Sequence, residues 1–237
     1  MTKKSAGLIL GLILAAVTTG CVTAAATKKP SAPINKVALV SLSVTNWGGM
    51  VSGTAGDAKA TALINSMLSG LVTYTEGKLS SFMRVSKAST FIGSAAYRNL
   101  GVKNELDLLL PKVNGQPFAI FSKDNDDVIA AKLTPEVAKK LCADLQVDAV
   151  VVVYSEWAVA HGHVVPTQRA LAKDVVSVWD RNGNLVFNKR IDEMGTGVLG
   201  GPYSPVVVNE GTIKQWSGAY VKAFDQIAVE MKATLKP

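Results

Sequence analysis

Polarity alternates over Lys36 to Thr45 around Val37, Leu39, Leu42 and Val44. This predicts a strand in the interior of a sheet. Trp47-Gly48-Gly49 through Gly56 is rich in small residues and reads as a flexible loop. The period then changes. From Asp57 the apolar positions are Leu63, Ile64, Met67, Leu68, Leu71 and Val72, one stripe of an amphipathic helix. Asp57 stands where the positive end of that helix favours an anion, and Phe82 to Val85 reads as a second strand. Further on, Thr134, Pro135 and Glu136 form a helix start, with a capping hydroxyl, a preset φ and a charge that suits the dipole. Val137, Leu141 and Leu145 make its buried stripe, with Cys142 beside it.

Val147 to Tyr154 is a continuous apolar run interrupted only at Asp148, as in a strand buried on both faces. Lys173 to Asp180 and Asn184 to Arg190 predict a hairpin turning at Arg181-Asn182-Gly183. Met194 to Val208 is rich in Gly and Pro and reads as loop. Ile213, Trp216, Tyr220, Phe224, Ile227 and Met231 mark one face of a long terminal helix. Residues 91–131 have no sustained period: helical patches up to Leu110, Gly115 and Pro117 in an irregular stretch, then a short helix starting near Lys123 to Asp127. The order is strand, helix, strand, insertion, helix, strand, hairpin, helix. It predicts an α/β (α+β) single domain, a mixed β-sheet with helices packed against it and a long C-terminal helix.

The first 21 residues follow a different logic. Lys3 and Lys4 precede an apolar run from Ala6 to Val17, then small residues and Cys21. The run is shorter than the roughly 20 residues of a permanent transmembrane helix. This resembles a bacterial lipoprotein signal: 1–20 is read as signal peptide, and Cys21 as the lipidation site carrying diacylglycerol and, on its freed amine, a further acyl chain. Each buried methylene contributes about 0.8 kcal/mol, so two or more chains hold a protein to a membrane almost permanently. The alternative is an ordinary secretory signal cut near Ala24 to Ala26. Val22, not Asp, follows the cysteine, which by resemblance to enteric bacteria implies the outer membrane, periplasmic face. Residues 21–35 read as a lipidated flexible tether of Ala, Thr, Lys, Pro and Ser, reaching at most about 50 Å. Residues 36–237 read as the periplasmic α/β domain, with an irregular insertion at 91–131.

Composition narrows the partners. The formal charge is +7 over 237 residues, and loss of Lys3 and Lys4 leaves about +5. The basic residues are scattered, with no arginine-rich patch between aromatics, which argues against nucleic acid. A weakly basic surface suits anionic lipid or cell wall. With Cys21 acylated, Cys142 has no disulfide partner.

Four stretches together are similar to the curli-secretion channel lipoprotein superfamily. Its relatives include the N-terminal domain of the Tol-system translocation protein and outer-membrane lipoprotein activators of penicillin-binding proteins. Lys36 to Leu42 resembles the opening strand, and Ala62 to Val85 the helix leading into a short strand. Ala138 to Val151 resembles the helix-to-strand signature. Val175 to Ile191 resembles the hairpin, with Asp180, Asn182-Gly183 and Val186 at the turn. The resemblance implies an envelope lipoprotein that associates into a ring or dimer. A pore-forming member needs long hairpins of alternating polarity, and neither 91–131 nor 194–208 alternates over that length.

Candidate chemistry is sparse. Gly195 to Gly200 spells GxGxxG, but the Pro residues that follow do not open a helix for a pyrophosphate. His161 and His163 are the metal candidates, two imidazoles where zinc takes four ligands. Asp124 to Asp127 lacks the glycine and distal Glu of a calcium loop. There is no nucleophile elbow, and Cys142 has the spacing of a core residue. Catalytic residues: none; cofactors: none beyond the lipid on Cys21. Trp216, Tyr220 and Phe224 form a row that reads as core, or as an interface with another copy. The expected function is an outer-membrane lipoprotein, not an enzyme, whose domain binds envelope proteins and assists assembly, secretion or envelope stability. The alternatives are an oligomeric subunit of a curli-type secretion channel, and a cell-wall-acting enzyme or small-ligand binder.

Overall fold

The alternation at Val37 to Val44 becomes β1 (Lys36–Thr45), whose inner eight residues are buried on both faces. The computed structural model describes residues 27–45, 47, 51–52, 58–161, 167–201 and 204–235. The expected signal peptide, Cys21, Asp57 and His163 lie outside these residues, as does most of the loop after Trp47. In chain order, β1 is followed by β2 (Val51–Ser52), α1 (Ala58–Ser80) and β3 (Arg84–Ser86). Next come α2 (Ala95–Arg98), β4 (Leu108–Leu109), β5 (Lys112–Val113), β6 (Gln116–Pro117) and α3 (Asn125–Ile129). The rest is α4 (Pro135–Leu145), β7 (Ala149–His161), β8 (Gln168–Asp180), β9 (Leu185–Gly200), β10 (Val206–Val207) and α5 (Glu210–Leu235).

The main sheet runs β3-β1-β7-β8-β9, with β4 paired to the end of β1. β1 is parallel to β3 and to β7, whereas β7, β8 and β9 form an antiparallel meander. The mixed sheet, the helices on it and the long terminal helix match the expected class. On β8, Ser177 reaches the carbonyl of Ala131 at the entry to α4. Asp174, of opposite parity, lies within electrostatic reach of Tyr220 on α5. Residues of opposite parity point to opposite faces, so α5 covers one face and the α3–α4 segment the other. α1 packs beside α5, where Tyr74 and Lys78 share the Asp225 carboxylate, both at 2.5 Å.

The predicted start of α4 holds, and so do most stripe positions, with Leu63, Met67 and Val137 half-buried. Thr134 caps α4 by accepting from the Val137 amide at 3.3 Å. Ile64, Leu68, Leu71 and Val72 of α1 and Ile213, Trp216, Tyr220, Phe224, Ile227 and Met231 of α5 are buried.

One expectation is corrected and two are refined. First, the strands of the meander are longer than their apolar cores. β7 continues to His161, and β9 continues through Gly195, Gly197 and Gly200 where a loop was expected. The glycines serve close packing of α5 on β9. A Cβ on Gly197 would lie 2.8 Å from the Gln215 side chain, and one on Gly195 would lie 3.0 Å from the Gln215 carbonyl. Gln215 Oε1 accepts from the Gly197 amide at 2.7 Å. Second, 91–131 holds the expected short helix, α3, capped by Asp124, and its short elements are pinned to β1. The Tyr97 hydroxyl donates to the Val40 carbonyl at 2.7 Å and accepts from the Ala119 amide at 2.8 Å. Ser41 donates to the Ala119 carbonyl at 2.9 Å. Third, the tether expected to be flexible over 21–35 is held against the domain from Lys28 onward, as described below.

Tyr97 is fully buried, so the variant Tyr97→Phe strands the Ala119 amide. Urea unfolding should show a loss of about 1–3 kcal/mol with an unchanged m-value.

Candidate functional site

Two built features stand out; sequence reading anticipated the Asn-Gly turn of the first, but neither its strap nor the buried polar chain. The first is the end of the sheet where β1 begins and β8 turns into β9. Asp180 closes that turn. One carboxylate oxygen accepts from the amides of Asn182 and Asn184, each at 2.9 Å. The other accepts from the Asn184 side chain at 3.2 Å and from the Ser31 hydroxyl at 3.0 Å. Burial works to raise the Asp180 pKa. The hydrogen bonds from Asn184, Ser31 and Asn182 outweigh it and hold the carboxyl below its ordinary value. Gly183 has φ +74°, and a Cβ there would lie 2.5 Å from the Pro135 carbonyl. The turn therefore needs glycine both for its conformation and for its contact with α4.

Ser31 belongs to a strap, residues Lys28 to Asn35. Its first amide donates to the Leu185 carbonyl at 2.9 Å, and the Lys28 ammonium reaches Asn184 at 3.3 Å. The Asn182 side chain donates to Ser31 at 2.6 Å. At the other end the Asn35 and Lys36 amides both donate to Asp148 Oδ2, at 2.8 and 2.9 Å. Arg181 pairs with the other oxygen of Asp148. Two aspartates thus tie the entering chain, the β8–β9 turn and the start of β7 into one knot.

The second feature is a buried polar chain between the sheet and α5. Asp174 is fully buried. Ser155 donates to its Oδ1 at 2.5 Å and accepts from the Trp157 indole at 2.9 Å. Asp174 Oδ2 has no partner among the described residues. Burial drives the Asp174 pKa well above the usual carboxylate range, against the Ser155 hydrogen bond, and the Asp192 charge adds to the rise. The neutral acid is the form this site accommodates. Near it the Tyr220 and Thr75 hydroxyls are 2.6 Å apart. Trp157 stacks on Trp216 with centroids 6.2 Å apart, and Trp47 meets both rings edge-on or tilted at about 5.5 Å. Trp47 has φ +44°, a backbone conformation uncommon for a large side chain.

The residues expected from sequence fall as follows. Trp216, Tyr220 and Phe224 are fully buried against the chain's own sheet and α1, so the interface reading for this row is corrected: no side-chain surface is left for another copy. His161 is exposed at the end of β7, and the described residues contain no group of three His, Cys, Asp or Glu placed to hold a metal. Asp124 caps α3 by accepting from the Asp126 amide at 2.8 Å, and Asp127 accepts from Ser122. Cys142 is buried beside Trp179. Desolvation, with a contribution from Asp180, pushes its thiol up to about 12, so it remains a thiol at neutral pH. GxGxxG lies within β9.

Comparison with known proteins gives no family-model match and no match to a curated protein. Among solved structures, the chain is similar to the hypothetical protein CT253 from Chlamydia trachomatis at 13% identity. That match covers 85% of this chain and 98% of that one, with TM-score 0.42. It is also similar to lipoprotein GNA1162 from Neisseria meningitidis, at 16% identity, 82% and 99% coverage and TM-score 0.38. The PelC dodecamer from Paraburkholderia phytofirmans matches at 10% identity, 86% and 92% coverage and TM-score 0.29. At TM-scores below 0.5, these likenesses carry no argument about what this chain does.

Two outcomes are expected. A carboxyl whose folded pKa is raised contributes stability below its unfolded value of about 3.9 and loses it as pH rises toward the folded value. Asp174→Asn should therefore flatten the fall in Tm with rising pH, with the variant gaining most over the parent at alkaline pH in calorimetry. Asp180→Ala should release the strap: amides of 28–35 should exchange faster in hydrogen–deuterium exchange while β7 stays protected, with a stability loss of about 1–3 kcal/mol.

Proposed function

We propose that this chain is an outer-membrane lipoprotein, acylated at Cys21, whose domain lies on the periplasmic face. There it binds envelope proteins as an assembly, secretion or stabilising accessory. The observation that carries this reading is the pairing of the lipoprotein-like start with the strap. The strap is docked from Lys28, seven positions after Cys21. An acyl anchor only seven positions before the docked strap keeps a domain at the surface of its membrane, where other envelope proteins meet it. No helix among the described residues is long and apolar enough to cross a membrane, so on this reading the attachment is the lipid.

The role proposed is non-enzymatic and needs no cofactor. The nameable polar groups are committed to the fold: Asp148 and Asp180 to the strap, Asp174 to a buried neutral acid, and Cys142 to the core. Self-association is the second reading, favoured by β9. This strand of 16 residues ends the sheet. Met194 and Val198 on it are 50% and 55% exposed, and an open edge is a template for pairing.

Intact-mass analysis of the processed protein, with in-cell crosslinking and mass spectrometry of captured neighbours, is the test. An acyl adduct on Cys21 and reproducible envelope neighbours, or a self-crosslink through β9, are expected. An unmodified thiol, or a strict monomer in detergent with no captured neighbour, would overturn the reading.

A further inference from the structure

The strap end of the sheet carries more than a turn. Because β1 and β7 are parallel and β8 and β9 run antiparallel to β7 and to each other, several features meet there. These are the first residues of β1, β7 and β9, the last of β8, and the C-terminal end of α1. The strap emerges at the same end, at Lys28 beside the β8–β9 turn. We infer that this end is the face the domain lays on the bilayer, and that its cations bind anionic lipid headgroups. The inference rests on the lipid anchor proposed at Cys21.

Reach comes first. Seven residues from Cys21 to Lys28 span at most about 24 Å fully extended. A strand of 13 residues such as β7 is about 43 Å long. With the strap docked, the anchor can hold the strap end at the bilayer. It cannot let the domain stand on its far end, which would lift Lys28 about 40 Å from the surface.

Charge comes second. Lys28, Lys29, Arg84, Lys139 and Arg181 are exposed at this end, with Lys36 half-buried among them. Lys139 and Arg181 line one shallow depression with Gln146 and Asp148. Arg84 lines another with Pro33, Ile34 and Asn35. Of the acids here, Asp144 pairs with Lys140, Glu136 is exposed on the first turn of α4, and two are turned inward. Asp180 is buried in the turn, and Asp148 accepts the strap amides and pairs with Arg181. At the opposite end Glu210 pairs with Lys214, and Arg169 near the start of β8 is an exposed cation. With Arg181 matched by Asp148 and Lys140 by Asp144, the cations Lys28, Lys29, Lys36, Arg84 and Lys139 outnumber the acids Glu136 and Asp180, which gives the strap end a positive field. A surface of acidic phospholipid complements it within a Debye length.

The test uses the full acylated chain in vesicles containing a quencher-labelled headgroup, with a fluorophore on a single introduced cysteine. Ser80→Cys reports the strap end and His161→Cys the far end; Cys142 is buried and unreactive. In vesicles containing phosphatidylglycerol, quenching at position 80 should be roughly threefold stronger than at 161. It should weaken at raised salt, in pure phosphatidylcholine, and in the Lys28→Glu/Lys29→Glu/Lys139→Glu variant. Equal quenching at the two positions, or quenching indifferent to lipid charge, in a protein shown by mass to be acylated would overturn this inference and leave the anchor standing. An unacylated chain, labelled in a Cys21→Ser background so that the dye sits on the introduced cysteine alone, that still binds phosphatidylglycerol vesicles with position 80 nearest would do the reverse, sinking the anchor and supporting the face. An unacylated chain that ignores the vesicles would overturn both.

Discussion

Burial of β1 and β7 on both faces is the constraint from which the architecture follows. Val37 to Val40 and Ala149 to Val151 are completely enclosed. Strands of that kind must be covered above and below. α1 and α5 supply one cover, and α3, α4 and the 91–131 segment the other. The middle layer is then too dry for water to satisfy stray polar groups, so each must find a partner inside the protein. Ser41 finds Ala119, Ser177 finds Ala131, Ser155 finds Asp174, and Tyr97 links Val40 to Ala119. These bonds place the covering segments as specifically as packing does.

The same constraint separates two kinds of aspartate. Asp148 and Asp180 sit at the rim: Asp148 accepts the strap amides and pairs with Arg181, and the donors around Asp180 hold its carboxyl below its ordinary value. They use that charge to hold the strap and the turn. Asp174 sits in the dry layer, where solvation is lost and one oxygen has no partner among the described residues; there the neutral form is favoured. Identical side chains thus act as a clamp at the rim and as a pH-dependent liability in the core, with distance from water deciding which.

Docking of the strap joins fold to proposed function. An unattached linker would let the domain tumble above its anchor. A linker bonded to Leu185, Asp180 and Asp148 gives the domain a defined base. On the proposed orientation, the faces left outward are the far end, with the Trp47–Trp157–Trp216 cluster buried beneath it, and the open edge of β9.

The amino-acid sequence by itself determined the secondary-structure order, the buried stripes of α1, α4 and α5, the Thr134 cap and the Asn-Gly turn. Each depends on residues close together in the chain, and local periodicity and capping report them directly. It also supplied the reading of residues 1–21. Only the tertiary structure decided the rest. β9 could be recognised as a strand through Gly195 and Gly197 only once α5 was seen to press Gln215 against them. The 91–131 segment is ordered by Tyr97 meeting β1, not by any period of its own. The strap is held by Asp148 and Asp180, more than a hundred residues away along the chain. Asp174 had left a trace, since it shares parity with the buried Val176 and Val178, but its neutral state comes from α5 closing over it. Interactions between segments distant in sequence leave no periodic signal in either one, and that is why folding had to reveal them.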